Sequence, residues 1–278
     1  MIASYRADTL KIRKRTANWI LLAVLLLILV FLDYVVGFIV LKNPPPGFRS
    51  TVPASTLIRE TYPENLVPNV ISGMLTIGAA ILLIFGALST ASEFGWLTVQ
   101  TILVQGPTRR AVLAGKILAL AVVSLLVTII LFAAAALTSY LLVTISGVSS
   151  SWPAATTLLR GMGATWFILG VYTAFGMALG VVFRSTAAAI GGGLTYVFVV
   201  EGILGLVLGN ADWAKEILKF LPGEAATAVS RLFPYSFTGL EQRAPLIDGT
   251  RGLITLGVYL VAFLVISLVV FDRRDVGA

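Results

Sequence analysis

Apolar residues in this chain do not alternate with polar ones; they come in long runs separated by short polar stretches. Several runs approach or exceed the roughly 20 apolar residues needed to cross a hydrocarbon core of about 30 Å, and helices are the spanning structures whose backbone bonds close within each segment. The pattern predicts transmembrane helices at residues 19–41, 69–88, 111–143, 160–183, 187–208 and 253–271. The fold class expected is an all-α polytopic membrane protein, a single domain over residues 1–278.

The stretches between the runs differ in kind. Residues 1–16 put Ile2, Tyr5, Thr9 and Ile12 at helical spacing with Arg6, Lys11, Arg13, Lys14 and Arg15 mostly off that stripe. This suits an N-terminal interfacial helix, with a basic tail that only orients the first span as the other reading. Between the first two runs, Pro44, Pro45, Pro46, Pro53, Pro63 and Pro68 predict an extended, turn-rich connector from Lys42 to Pro68. The third run is roughly 48 Å long at the helical rise, so part of it should project past the hydrocarbon on the side of Arg109, Arg110 and Lys116. Only Arg184, Ser185 and Thr186 separate the fourth run from the fifth, which forces an antiparallel hairpin. Small residues such as Gly176 and Gly180 permit close helix contact. Over residues 211–233 two short helices are expected outside the spans, extracellular or re-entrant, the first ending at Pro222.

Composition narrows the class. The chain is 58% hydrophobic and 12% charged, too apolar to present a water-compatible surface throughout. It has no cysteine and no histidine, which removes disulfides, thiolate metal sites and the commonest general base, so hydrolytic triads and zinc sites are not expected. The net charge of +7 sits beside the hydrophobic runs, favouring membrane lipids over nucleic acid as its partner. The first run exceeds a signal-peptide core and is expected to be retained. With both ends on one side, residues 1–18, 89–116, 184–186 and 272–278 hold 11 Lys or Arg in 56 positions, against 9 in 88 on the other. The bias predicts cytosolic termini and a multi-pass protein of the cell membrane.

The stretch from Glu93 to Lys116 is the polar interruption between the second and third runs. Thr90 and Glu93 have capping-box spacing, and Gly106-Pro107 is a stop, which together predict a separate helix over residues 91–105; a plain loop that enforces topology is the other reading. Gly115-Lys116 superficially matches a phosphate-binding loop, but Arg110 occupies the earlier glycine position and Ile117 follows the lysine. The chain is therefore expected to have no ATPase site and no enzymatic activity of its own.

The same stretch, with Glu93, the Gly95 to Thr98 step, the Gly-Pro-Thr-Arg turn and Gly115-Lys116, resembles the cytosolic loop of type-2 ATP-binding-cassette (ABC-2) transporter permeases. The basic cluster Arg13, Lys14, Arg15, the Leu221-Pro222 step and the terminal Phe271-Asp272-Arg273-Arg274-Asp275 are similar to that family as well. The resemblance implies a coupling helix seated on a separate ATPase subunit that binds ATP and magnesium, with a second permease subunit completing a homodimer or heterodimer. Carried over by position, Glu93, Gly95 and Thr98 belong to that helix and Arg109, Arg110 and Lys116 to its exit. Trp96-Leu97 is bulkier than the family pattern at that step. The implied activity is export of an amphipathic or lipid-linked substrate.

Two carboxylates interrupt the apolar runs, Asp33 in the first and Glu201 in the fifth. A charge at membrane depth is costly and marks a cavity or a partner. Both are candidates for a substrate path; the alternative is that they reach the interface or pair with Arg160 or Lys42. They also define a competing function, an ion- or proton-coupled secondary transporter. An enzyme working within the bilayer is disfavoured by the lack of histidine, cysteine and paired carboxylates.

Overall fold

A computed structural model describes residues 2–45, 53–95, 108–203, 212–236 and 244–273. Those residues are helical, with no strand among them, and six helices are long and apolar enough to cross a membrane. In chain order, α1 is Ile2–Lys14, α2 is Thr16–Lys42, α3 is Pro63–Phe94 with its last turn reaching Gly95, and α4 is Arg109–Ser146. Next come α5, Ala155–Phe183, and α6, Thr186–Ile203. Two short helices, α7 (Asp212–Leu218) and α8 (Pro222–Ser230), precede α9, Gly249–Arg273. The six long helices are α2, α3, α4, α5, α6 and α9.

The connector between α2 and α3 is more helical than its prolines predicted. Ala54–Leu57 and Ile58–Thr61 form short helical turns, and α3 begins at Pro63 rather than after Pro68. Pro63 opens a tight turn, and Pro68 falls in the first turn of the segment Leu66–Gly73, where a missing N–H costs no bond. At the other end, α3 runs unbroken from Ala79 through Thr90 to Gly95. Thr90 is not a cap: its side chain is buried against α5, where a Cβ on Gly180 would lie 3.1 Å from the Thr90 Cβ. Residues 96–107, with Thr98 and most of the expected 91–105 helix, lie outside the described residues.

Thr108 starts α4, its Oγ1 accepting from the Ala111 amide at 3.3 Å, and Gly147 ends it in the left-handed region at φ 65°. The 38 residues between span about 57 Å at the helical rise. Helices α5 and α6 form the tight hairpin expected: Arg184 turns the chain at φ 53° and Ser185 caps α6.

Three of the long helices contain wide, π-helical turns: Leu27–Val36 in α2, Met74–Gly78 in α3 and Tyr196–Ile203 in α6. Asp33 lies within the first of these and Glu201 within the third. Such turns loosen the backbone ladder and recur at functional sites.

The centre of the bundle is the contact between α3 and α5, which is close enough to be made by backbone. A Cβ on Gly86 would collide with the Thr173 carbonyl, and one on Gly176 with the Leu83 carbonyl. Leu29, Tyr34, Leu83, Leu131, Leu169 and Tyr172 surround this contact and are buried almost completely. The opposite faces of α2 and α9 expose Trp19, Ile20, Leu27, Val258 and Val261, as helices that meet lipid do. Helix α1 packs on α4 at Gly115, where a Cβ would fall 2.7 Å from the Ser4 Cβ.

Candidate functional site

Three helices converge where α3 ends and α4 begins. Glu93 in the last turn of α3, Lys116 in the second turn of α4, and Asp8 and Lys11 on α1 form one ion network. The Glu93 carboxylate accepts from Lys11 Nζ at 2.8 Å and faces Lys116 Nζ at 2.9 Å. Asp8 completes the ring, 3.4 Å from Lys116 and 3.5 Å from Lys11. Lys116 also donates to the Ser89 carbonyl at 3.0 Å. The Lys116, Asp8 and Glu93 side chains are 6%, 7% and 10% exposed, so the charges sit inside the protein and depend on one another. Burial raises the Asp8 carboxyl above its ordinary value, with Lys116 opposing and Glu93 adding to the rise. Burial alone would lower Lys11, but the Glu93 hydrogen bond and charge outweigh it and hold the ammonium above its ordinary value.

Arg15 adds a second tie, donating at 2.9 Å both to the Leu88 carbonyl and to Ser92 Oγ. At the entry to α4, Arg109 donates at 3.3 Å to the carbonyls of Phe271 and Asp272, and Arg110 pairs with the Asp272 carboxylate at 2.7 Å. Phe94 meets Phe271 edge to face, with ring centroids 6.2 Å apart, and Arg184 lies over the Phe94 ring at 5.4 Å. Both ends of the segment 96–107 are thus fastened: one to α1 through Glu93, the other to the end of α9 through Arg109 and Arg110.

Of the six residues singled out in this stretch, Glu93, Arg109, Arg110 and Lys116 are drawn into these ties. Gly95 is the last described residue of its helix, and Thr98 lies outside the described residues. Asp8, Lys11, Arg15 and Ser92 were not singled out as site residues. One signal was available: Asp8 is the only acidic residue before Asp33, placed three positions from Lys11 on the same helix.

Asp33 and Glu201 have separate surroundings. Glu201 is satisfied: one oxygen accepts from the Tyr172 hydroxyl at 2.8 Å, the other from the Gly223 amide at 2.9 Å. It thereby fastens α6 to α5 and to the first turn of α8. It also borders a cavity of about 290 Å³ with Glu224 and Arg231. Asp33 Oδ2 is sequestered with no hydrogen-bond partner among the described residues, packed against the bare backbone of Gly73, where a Cβ would lie 3.2 Å away. Neither carboxylate forms an ion pair with Lys42 or Arg160; Lys42 lies over the Phe38 ring instead.

Glu60, in the turn before α3, feels Asp33. Burial, and then the Asp33 charge, push its carboxyl from 4.5 up to about 7. The folded state thus holds this proton more tightly than the unfolded chain, so Glu60 contributes stability below about pH 4.5 that is lost as pH rises through about 7. Melting of the purified protein across that window should show stability falling with pH, and Glu60→Gln should flatten the fall. An unaltered profile in Glu60→Gln would contradict the assignment.

The model of a family described as "Protein of unknown function (DUF2705)" matches residues 55–277, and the chain belongs to that family. No curated protein matches it.

Proposed function

We propose that this DUF2705 protein is the membrane-spanning permease subunit of an ATP-binding-cassette exporter. In this reading it works with a separate ATPase subunit, which binds ATP and magnesium, and with a second permease subunit. The segment 96–107 is the point where the ATPase pushes, on the cytosolic face of the cell membrane with both termini on that side. Helix α1 lies along the interface, and α7 and α8 cover the opposite end. The substrate is amphipathic or lipid-linked, and ATP-driven closure shifts the bundle between inward-open and outward-facing or collapsed states.

The observation that carries the proposal is the double fastening of that segment. A loop that only enforced topology would need positive charge, but no network of four charges across three helices, three of them buried. Desolvating such a set is costly, and it is well suited to holding helices in one register under load.

The test separates the fastening from surface charge. Arg110→Glu and Asp272→Arg each break the exposed pair, while the double exchange restores it with reversed polarity. Each single change should lower ATP turnover coupled to transport about two- to fivefold, the range for an exposed ion pair, and the double exchange should recover it. Wild-type turnover in both single variants would remove the fastening from the mechanism.

The ion- or proton-coupled alternative has one observation in its favour, the unpartnered Asp33 Oδ2. Glu201 speaks against it, because both of its oxygens are engaged in holding α5, α6 and α8 together. Transport that stops in Asp33→Asn and follows the proton gradient without ATP would favour this alternative.

A further inference from the structure

The elbow between α1 and α2 lies between two concave surfaces. Arg15 breaks the helix in an extended conformation and offers no side-chain cap to the first turn of α2. On one side is a cavity of about 550 Å³, where Lys11, Lys14, Arg15, Ser89 and Glu93 meet the apolar side chains of Leu10, Ile12 and Leu120. On the other, a groove of about 340 Å³ runs between α2, α3 and α4, walled by Leu22, Ile81, Phe85, Val123 and Val127. Ile12 and Asn18 border both surfaces, which lie on either side of the elbow.

The groove lies on membrane-spanning helices, and Trp19 and Leu126 along it are more than half exposed. At that depth the medium available to cover them is acyl chain. Its polar end carries the charge. Arg13 borders the groove and Lys14 the cavity; both are exposed, and neither forms an ion pair among the described residues, unlike Lys11 and Lys116. Two uncharged atoms near the elbow also lack partners among the described residues, and both are closed off from solvent. Asn18 Oδ1 is sequestered with nothing donating to it, and Ser89, only 8% exposed, has an unbonded hydroxyl.

We propose that this elbow binds one anionic phospholipid. One acyl chain fills the groove between α2, α3 and α4, and the phosphate sits between Arg13 and Lys14. Two free cations select an anion, and the apolar groove beside them selects one with a chain attached. The seated lipid would hold α1 against the bundle next to the Glu93–Lys116 network. The proposal requires only that the chain spans a membrane, and stands whether or not an ATPase drives it.

The full-length protein is reconstituted in nanodiscs containing phosphatidylglycerol and phosphatidylcholine, transferred to mild detergent, and weighed with its retained lipid by native mass spectrometry. One phosphatidylglycerol per chain should remain, in preference to phosphatidylcholine and not displaced by inorganic phosphate. Arg13→Gln with Lys14→Gln should lower retention about 25-fold, from about fivefold for each cation at a membrane surface. Because those changes also touch the topology signal, a second variant keeps every charge: Val123→Phe with Val127→Phe fills the groove and should abolish retention. Equal retention of both lipids, or undiminished phosphatidylglycerol in the groove variant, would overturn the proposal. So would a groove variant that dissociates a dimer of this chain and leaves lipid content unchanged, since the occupant would then be a second copy.

Discussion

Gly176→Ala should destabilise the protein by about 3 kcal/mol or more, at or beyond the top of the usual range for overpacking. The added methyl would meet the carbonyl carbon and oxygen of Leu83 and the amide of Ala87, which are helix backbone and cannot swing aside. Relief requires α3 and α5 to separate, and that contact is the centre of the bundle. Native stabilities are commonly about 5–15 kcal/mol, so the loss should be visible as reduced yield and a lower melting temperature in detergent. Gly170 lies on the same helix with no atom within 4 Å of an added Cβ. Gly170→Ala should therefore be neutral, or stabilising by up to about 1 kcal/mol through helix propensity. If both substitutions behave alike, the close approach of α3 and α5 is wrong.

Glu93→Ala should cost about 3–5 kcal/mol, the range for removing one partner from a buried ion pair. Lys116 would keep only Asp8 at 3.4 Å and the Ser89 carbonyl, while its side chain remains 6% exposed. Lys11 can turn to water, since its side chain is 39% exposed; Lys116 cannot. Two further variants show that the penalty lies in the stranded lysine. Glu93→Gln, which retains an acceptor, should lose less. Adding Lys116→Met to Glu93→Ala should recover most of the stability, because an apolar side chain needs no partner there. Denaturant unfolding of the four proteins measures this directly, and a Glu93→Ala protein within about 1 kcal/mol of wild type would contradict the network.

The spans were legible because their signal is local: each apolar run announces a helix without reference to the rest of the chain. The Arg184 to Thr186 hairpin was legible for the same reason, since so short a link leaves no other geometry. What the runs could not reveal depends on pairs distant in sequence. Glu93 has capping-box spacing from Thr90, yet its carboxylate is taken by Lys11, 82 positions away, and by Lys116, while Thr90 is packed against Gly180. Local spacing named the right residue and the wrong partner. Gly176 and Gly180 were recognisable as small residues at helical spacing, but nothing in their own helix says that Leu83 and Ala87 lie opposite. Pro68 was counted with the prolines of the extended connector, although a proline in a first helical turn loses nothing. The wide turns around Asp33 and Glu201 leave no pattern in residue type, so the sequence marked the carboxylates without the backbone that holds them.

The same distinction applies to function. The stretch between α3 and α4 stood out as polar and basic between apolar walls, but its fastening to both α1 and the end of α9 emerges only in three dimensions. The coupling role proposed for it can be tested directly. The chain is co-expressed and purified in detergent with an ATP-binding-cassette ATPase subunit from the same organism, and ATP turnover is measured for the complex, for the ATPase alone and for the chain alone. The account predicts a stable complex in which turnover appears and neither component hydrolyses ATP appreciably by itself. A chain that fails to retain the ATPase, or an ATPase whose turnover is unchanged by the chain, would contradict it.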